Sequence, residues 1–126
     1  MPLVETIGDA PGILCVAQTG NGDSQNVAYR DAGPLPAGGA VIITSAIGAT
    51  PTVTVNIQGS ADGTSFFNVP YALVATPRTF VLTAITITTA VTTTYLLQEL
   101  VFYRFLKLAL SANTNVTLDA KVLFGG

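Results

Sequence analysis

Apolar and polar residues alternate most regularly near the end of the chain, in VTLDAKVLF (116–124). Apolar residues occupy every second position, and Thr117, Asp119 and Lys121 are among those that lie between them. A period of two is that of a β-strand with one buried and one solvated face. This stretch therefore predicts an antiparallel strand that covers a core with one side.

The preceding stretch, VFYRFLKLAL (101–110), is apolar on both faces and is interrupted only by Arg104 and Lys107. A strand of this kind is buried on both sides. We expect the core on one side, and a loop or a neighbouring subunit on the other. Between the two strands, SANTN (111–115) is rich in turn-forming residues and predicts a connection.

Similar patterns upstream predict more strands, and none has the 3.6-residue period of an amphipathic helix. The loop AGPLPAGGA (32–40) and the breaker GATP (48–51) separate some of them. The spacing is that of an all-β sandwich with seven to nine short strands. We therefore predict a single antiparallel β-sandwich or jelly-roll-like domain over residues 12–126. The upstream strands are predicted at 12–19, 25–31, 40–47, 52–59, 64–70, 78–88 and 92–98.

Residues 1–11, MPLVETIGDAP, differ from the rest because they contain two prolines and have no clear period. Segments of this kind often become ordered on a partner. We interpret them as an extended N-terminal arm or an edge segment.

The dipeptide Asp62-Gly63 lies between two alternating stretches. Asp-Gly is a strong hairpin signal, since glycine readily adopts a positive φ and aspartate hydrogen-bonds its own backbone. A lone carboxylate on a tight turn is a poor metal site. We interpret Asp62 as a structural corner.

The composition indicates a domain whose surface is partly covered by another protein chain. Charged residues are 10% of the chain and hydrophobic residues 49%, whereas a typical soluble domain has ~25% charged residues. No window approaches the ~18 unbroken apolar residues of a membrane helix. The excess apolar surface predicts burial against copies of the chain or against a partner, and not in a membrane.

Charge and chemistry exclude several classes of function. Lys and Arg number 5, the net charge is −2 and no basic cluster exists, which argues against nucleic-acid binding. The absence of histidine removes the commonest general base and metal ligand. The one cysteine, Cys15, lies in an apolar stretch and is expected to be a buried, inert thiol. Asn21 and Asp23 in GNGDS fit a turn better than a calcium loop. We predict no catalytic residue, cofactor site or metal site.

The stretches VTVNIQGSADGTSF (53–66) and FYRFLKLALSANTNVTLDAKVLFG (102–125) resemble the small β-sandwich proteins of tailed-phage particles. The shared features are a GSxDGxxF hairpin and a late YRFLKL strand pair. Within that group the chain is most similar to capsid decoration, or cement, proteins. The resemblance covers residues 52–69 and 101–125, about a third of the chain, and brings no catalytic residues with it.

The resemblance implies a non-enzymatic structural protein that stabilises a phage head by binding across major capsid protein subunits. It implies a homo-oligomer, a dimer or a trimer, on the capsid surface of the virion. The opening residues have no basic region followed by an apolar one, so we expect synthesis in the host cytoplasm without a signal peptide. The partner interface is predicted at Pro2, Leu3, Val4, Ile7, Tyr103 and Phe105.

Two alternatives remain at this point. One is a tail or baseplate component with the same fold. The other is a carbohydrate-binding β-sandwich that uses the loop 59–65 and a stacking platform of tyrosines, although the chain has no tryptophan. The platform would draw on Tyr29, Tyr71, Tyr95 and Tyr103.

Overall fold

A computed structural model describes residues 12–24, 27–28, 39–97 and 105–124. Within these ranges every regular element is a β-strand, and no helix is present that could cross a membrane. The strands are β1 (Gly12–Gln18), β2 (Gly22–Asp23), β3 (Val27–Ala28), β4 (Gly39–Ser60), β5 (Phe67–Asn68), β6 (Tyr71–Leu73), β7 (Ile85–Ile87), β8 (Thr92–Leu97) and β9 (Phe105–Phe124).

The framework is the antiparallel pair formed by β4 and β9, which are 22 and 20 residues long. Gly39 pairs with Phe124 at one end, and Ser60 pairs with Phe105 at the other. One half of this pair also binds β1 and β8, and β6 follows β8, so that the order is β1-β9-β4-β8-β6. The other half binds β2 and β3 along β9, and β5 and β7 along β4.

The long pair bends in its middle. Ile47 pairs with Val116 and Thr54 pairs with Ser111, so seven steps along β4 correspond to five along β9. The extra residues form a bulge, and bulges bend a strand and increase its twist. Three residues here have positive φ: Thr50 at 44°, and Ala112 and Asn115 at 54°.

The bend turns one sheet into two layers around one core. A straight strand of 22 residues would be roughly 70 Å long at ~3.3 Å per residue, whereas a chain of this size has a radius of gyration of about 14 Å. The inward side chains of both halves nevertheless form one hydrophobic cluster. The predicted antiparallel β-sandwich is therefore confirmed. Its most deeply buried side chains include Leu14, Val41, Ile43, Val53, Val55, Leu106, Leu108, Leu118 and Val122.

Two predicted interruptions are wrong. The breaker 48–51 and the connection 111–115 both lie inside continuous strands, so the strands are not all short. Pro51 is tolerated because it falls in the stretch where the register shifts, and proline is accepted in strands at bulges. Asn113 accepts a hydrogen bond from the Val116 amide and donates one to its carbonyl, at 3.1 and 3.0 Å. The turn-forming residues thus bend a strand instead of ending it.

Two other strands are shorter than predicted. The predicted strand 64–70 is reduced to β5, because Thr64 and Ser65 belong to the preceding loop. The predicted strand 78–88 is reduced to β7, with one isolated pairing of Val81 with Tyr71. Most of the predicted strand 25–31 and of the loop 32–40, together with the proposed arm 1–11, lies outside the described residues.

Candidate interaction surface

Five of the six residues predicted to contact a partner lie outside the described residues, namely Pro2, Leu3, Val4, Ile7 and Tyr103. Phe105 is described and is half-buried at the start of β9. Its ring lies against Gly63, where an added Cβ would be 3.3 Å from the ring. A loop of the same chain thus covers part of Phe105, and its place in an interface stays a prediction.

The loop between β4 and β5 is built around Asp62. Its Oδ1 accepts hydrogen bonds from the amides of Thr64 and Ser65 at 2.8 and 2.9 Å, and from the Ser60 hydroxyl at 2.9 Å. Gly63 has a φ of 81°. The amides of Ser65 and Thr64, followed by the Ser60 hydroxyl, lower the pKa of Asp62 from 3.8 to about 2. The prediction that Asp62 is a structural corner is confirmed.

The outward face of β9 carries a charged clamp at Lys107. Its ammonium lies 2.6 Å from the Asp23 carboxylate on β2 and 4.2 Å from the centre of the Phe66 ring. The Lys107 side chain is only 13% exposed, whereas that of Asp23 is 54% exposed. This arrangement explains how a strand with two apolar faces carries a lysine, since β2 and the loop cover it.

The tyrosines do not form an open platform in the described part of the chain. Tyr71 and Tyr95 pack edge to face with ring centres 5.3 Å apart, and Tyr95 is buried. Burial raises the pKa of both phenols. Tyr29 and Tyr103 lie outside the described residues.

Cys15 is buried, as predicted, and its thiol lies 3.5 Å from the carbonyl oxygen of Leu118. Burial, followed by the nearby charge of Asp119, raises the pKa of this thiol. No group of three or more potential metal ligands occurs among the residues that the structure describes.

Exposed aliphatic side chains concentrate on a short hairpin that starts with β6. Tyr71 and Val81 exchange backbone hydrogen bonds of 3.0 and 2.9 Å, which close the segment 71–81, and Leu82 follows directly. We call its four exposed side chains the hairpin surface: Leu73, Val74, Val81 and Leu82, which are 46, 61, 38 and 59% exposed. Beside them is a groove of about 290 Å³, lined in part by Tyr71, Leu73, Val81, Ile85 and Tyr95. Arg78 is the only charged residue of the sequence between Asp62 and Glu99.

A second exposed surface lies where β4 and β9 bend. Ile47 is 43% exposed and lines an open depression of about 400 Å³ with Thr19, Asn115 and Thr117. Asn115 donates a 2.6 Å hydrogen bond to the Ala49 carbonyl, so its amide holds the bend together. We call this the bend surface, defined by Thr19, Ile47, Asn115 and Thr117.

The sequence predictions missed both surfaces. Residues 71–77 lie between two predicted strands, and the pattern at 78–88 predicts a regular strand. The available signal was the run of residues without charge around Arg78. Such a run on a connection between short elements indicates exposed apolar surface, because loops lie at the surface.

No protein-family model matches the sequence, and no curated protein matches it. Solved structures do resemble the fold. The SPBc2 prophage-derived protein YomS superimposes with a TM-score of 0.52 at 9% identity, over 89% of each chain. The CBM32 domain of AlyQ, solved in complex with 4,5-unsaturated mannuronic acid, gives 0.51 at 14% identity, over 84% of this chain and 74% of that one.

A third neighbour is CpGH89CBM32-6 of Clostridium perfringens, with a TM-score of 0.51 at 13% identity, over 93% of this chain and 78% of that one. At these identities the similarity concerns the fold alone. The chain therefore shares its β-sandwich architecture with a prophage-derived protein and with carbohydrate-binding modules.

Proposed function

We propose that this chain is a non-enzymatic structural protein of a tailed-phage particle, which decorates and stabilises the capsid as a homo-oligomer. The observation that carries the proposal is the exposed aliphatic surface at separate places on a chain with few charges. The hairpin surface is at one edge of the β1-β9-β4-β8-β6 row, and the bend surface is where β4 and β9 bend. A protein that binds across subunits needs more than one contact surface.

The mechanism is binding without chemistry. Apolar area removed from water stabilises a contact by roughly 25 cal/mol per Å². A stable interface takes about 800 Å² from each partner, which is roughly an eighth of the 6326 Å² of accessible surface on this chain. We assign the hairpin surface to contacts between copies, and the bend surface to the major capsid protein.

Co-sedimentation with emptied phage heads tests this proposal. The heads should come from the tailed phage or prophage whose genome carries this sequence, with the native copies of the chain removed. The full chain should pellet with the heads at a fixed ratio to the major capsid protein. Ile47→Asp should weaken this binding at least tenfold, because it places a charge in the apolar contact. Full binding by Ile47→Asp would overturn the assignment of the bend surface, and no binding by the native chain would overturn the capsid proposal.

A carbohydrate-binding function is the second candidate, because two of the structural neighbours are CBM32 domains. The depression at the bend surface offers the hydroxyls of Thr19 and Thr117, and none of the described residues that line it is aromatic. A glycan array that includes mannuronate oligosaccharides separates the two functions. This candidate would be favoured over the capsid proposal if the chain bound one glycan class saturably and did not bind phage heads. The glycan binding should then be lost in Thr117→Ala.

A further inference from the structure

We infer that residues 1–11 of one copy dock on the hairpin surface and its groove in a second copy. This inference rests on the self-association in the proposed function and names the two parts that meet. The docking segment contains the predicted contact residues Pro2, Leu3, Val4 and Ile7. The receiving surface is lined by aliphatic, tyrosine and threonine side chains and is open to solvent.

The two parts start from opposite edges of the same row of strands. Gly12 pairs with Val122, which pairs with Val41, which pairs with Tyr95, which pairs with Leu73. Four strand spacings of ~4.8 Å separate Gly12 from Leu73, or about 19 Å along the sheet. In two copies placed edge to edge, the first residue of β1 in one copy lies beside the hairpin surface of the next.

The length of the segment favours a second copy over the same chain. Eleven extended residues span at most roughly 40 Å. To reach its own hairpin surface, the segment would use about six residues at ~3.3 Å each to cross the sheet. That path leaves residues 1–5 to dock and excludes Ile7, whereas a neighbouring copy can receive all four apolar side chains.

The charges of residues 1–11 and of the receiving hairpin favour this docking. Residues 1–11 carry Glu5 and Asp9 and no Lys or Arg. On the receiving hairpin, Arg78 is exposed, and it is the only charged residue of the sequence between Asp62 and Glu99. The Glu5 and Asp9 carboxylates and the Arg78 guanidinium are opposite in charge. Such complementarity sets the orientation of docking more than its strength.

Two full-chain variants test the inference by complementation. Leu82→Asp keeps the segment and damages the hairpin surface, whereas Leu3→Asp damages the segment and keeps the hairpin surface. Leu82 is chosen so that folding is preserved, since its side chain is 59% exposed, and melting curves check the folding of both variants. Val74→Asp is a second hairpin variant, and Ile47→Asp is the matched control on the bend surface.

The masses in solution, measured by light scattering on a sizing column, give the outcome. The native chain and Ile47→Asp should be dimers or trimers, and Leu82→Asp, Val74→Asp and Leu3→Asp should each be monomers. An equal mixture of Leu82→Asp and Leu3→Asp should form heterodimers, because one intact segment then meets one intact hairpin surface.

Each contrary result overturns the inference in a recognisable way. An oligomeric Leu3→Asp would show that hairpin surfaces meet each other without the segment. A monomeric native chain, or a mixture that stays monomeric, would show docking within one chain or none. Failure of the capsid proposal is separate, since it would appear as lost head binding with the oligomer intact.

Discussion

Replacing Lys107 by Met removes the charge from the clamp between β9, β2 and the loop after β4 while keeping most of the aliphatic stem. The side chain is 13% exposed, so its ion pair with Asp23 and its contact with Phe66 are partly shielded from water. Because Asp23 is half-exposed, the ion pair contributes only ~0.5 kcal/mol. A partly desolvated cation over a phenyl ring contributes about 1 kcal/mol.

Lys107→Met should therefore lower the free energy of unfolding by roughly 1.5 kcal/mol, from these two contacts together. Lys107→Ala should lower the free energy of unfolding further, by about 2 kcal/mol or above. It also removes buried methylene groups, each worth ~0.8 kcal/mol. Part of that loss is offset, because alanine loses less side-chain entropy on folding than lysine does. Urea unfolding followed by circular dichroism measures both values.

Double-mutant cycles separate the two contacts. Lys107→Met combined with Phe66→Ala should show a coupling of about 1 kcal/mol that persists in 1 M salt. Combined with Asp23→Ala it should show ~0.5 kcal/mol at low salt and nearly none at 1 M, where the screening length is about 3 Å. A Lys107→Met variant as stable as the native chain, or a cycle with Phe66 that shows no coupling, would refute the clamp.

Three further outcomes follow from the described residues. Asp62→Asn should make the free energy of unfolding less dependent on pH in acid. The pKa of Asp62 is about 2 in the folded chain and 3.8 in the unfolded chain, so the stabilisation by this carboxylate is full above pH 4 and is lost as the pH falls towards 2. The melting temperature of the native chain should not change with calcium. Gly63→Ala should destabilise the fold by about 1–2 kcal/mol, since φ is 81° and the new Cβ would press on Phe105. The control Gly20→Ala, with open space around it, should stay within ~0.5 kcal/mol in urea unfolding. Cys15 should react with a thiol reagent slowly in the native state and rapidly in urea, and fast native labelling would contradict its burial.

The fold was predictable because local pattern and burial agree along β4 and β9. The alternation of Val53, Val55 and Ile57 places these three side chains in the core, as a period of two requires. The Asp62 corner was equally predictable, since its hydrogen bonds run to Thr64 and Ser65 within the same loop. These features depend on neighbours in sequence and need no knowledge of the tertiary structure.

The merging of strands was not predictable from local propensity. Glycine, proline and asparagine at 48–51 and 111–115 are typical of turns, but here they face one another across the paired strands. Asn115 donates to Ala49 from the opposite strand, so the two irregular segments stabilise each other as a bend. These two residues are 66 positions apart, so the sequence of either segment alone does not predict their contact.

The candidate surfaces were harder to predict for the same reason. The hairpin surface exists because Val81 returns to pair with Tyr71, which exposes the side chains on either side of that pairing. A regular strand over 78–88 would have buried every second residue instead. The sequence did predict that apolar surface would need covering, although not where it lies.

Immunogold electron microscopy of intact particles tests the central claim most directly. Antibodies against the full chain should place gold on the surface of phage heads, at many positions on each head, and particles from a deletion of the gene should carry none. Gold confined to the tail or baseplate would contradict the claim that the chain decorates the capsid. Particles without gold would also contradict it, if the chain is found bound to glycans.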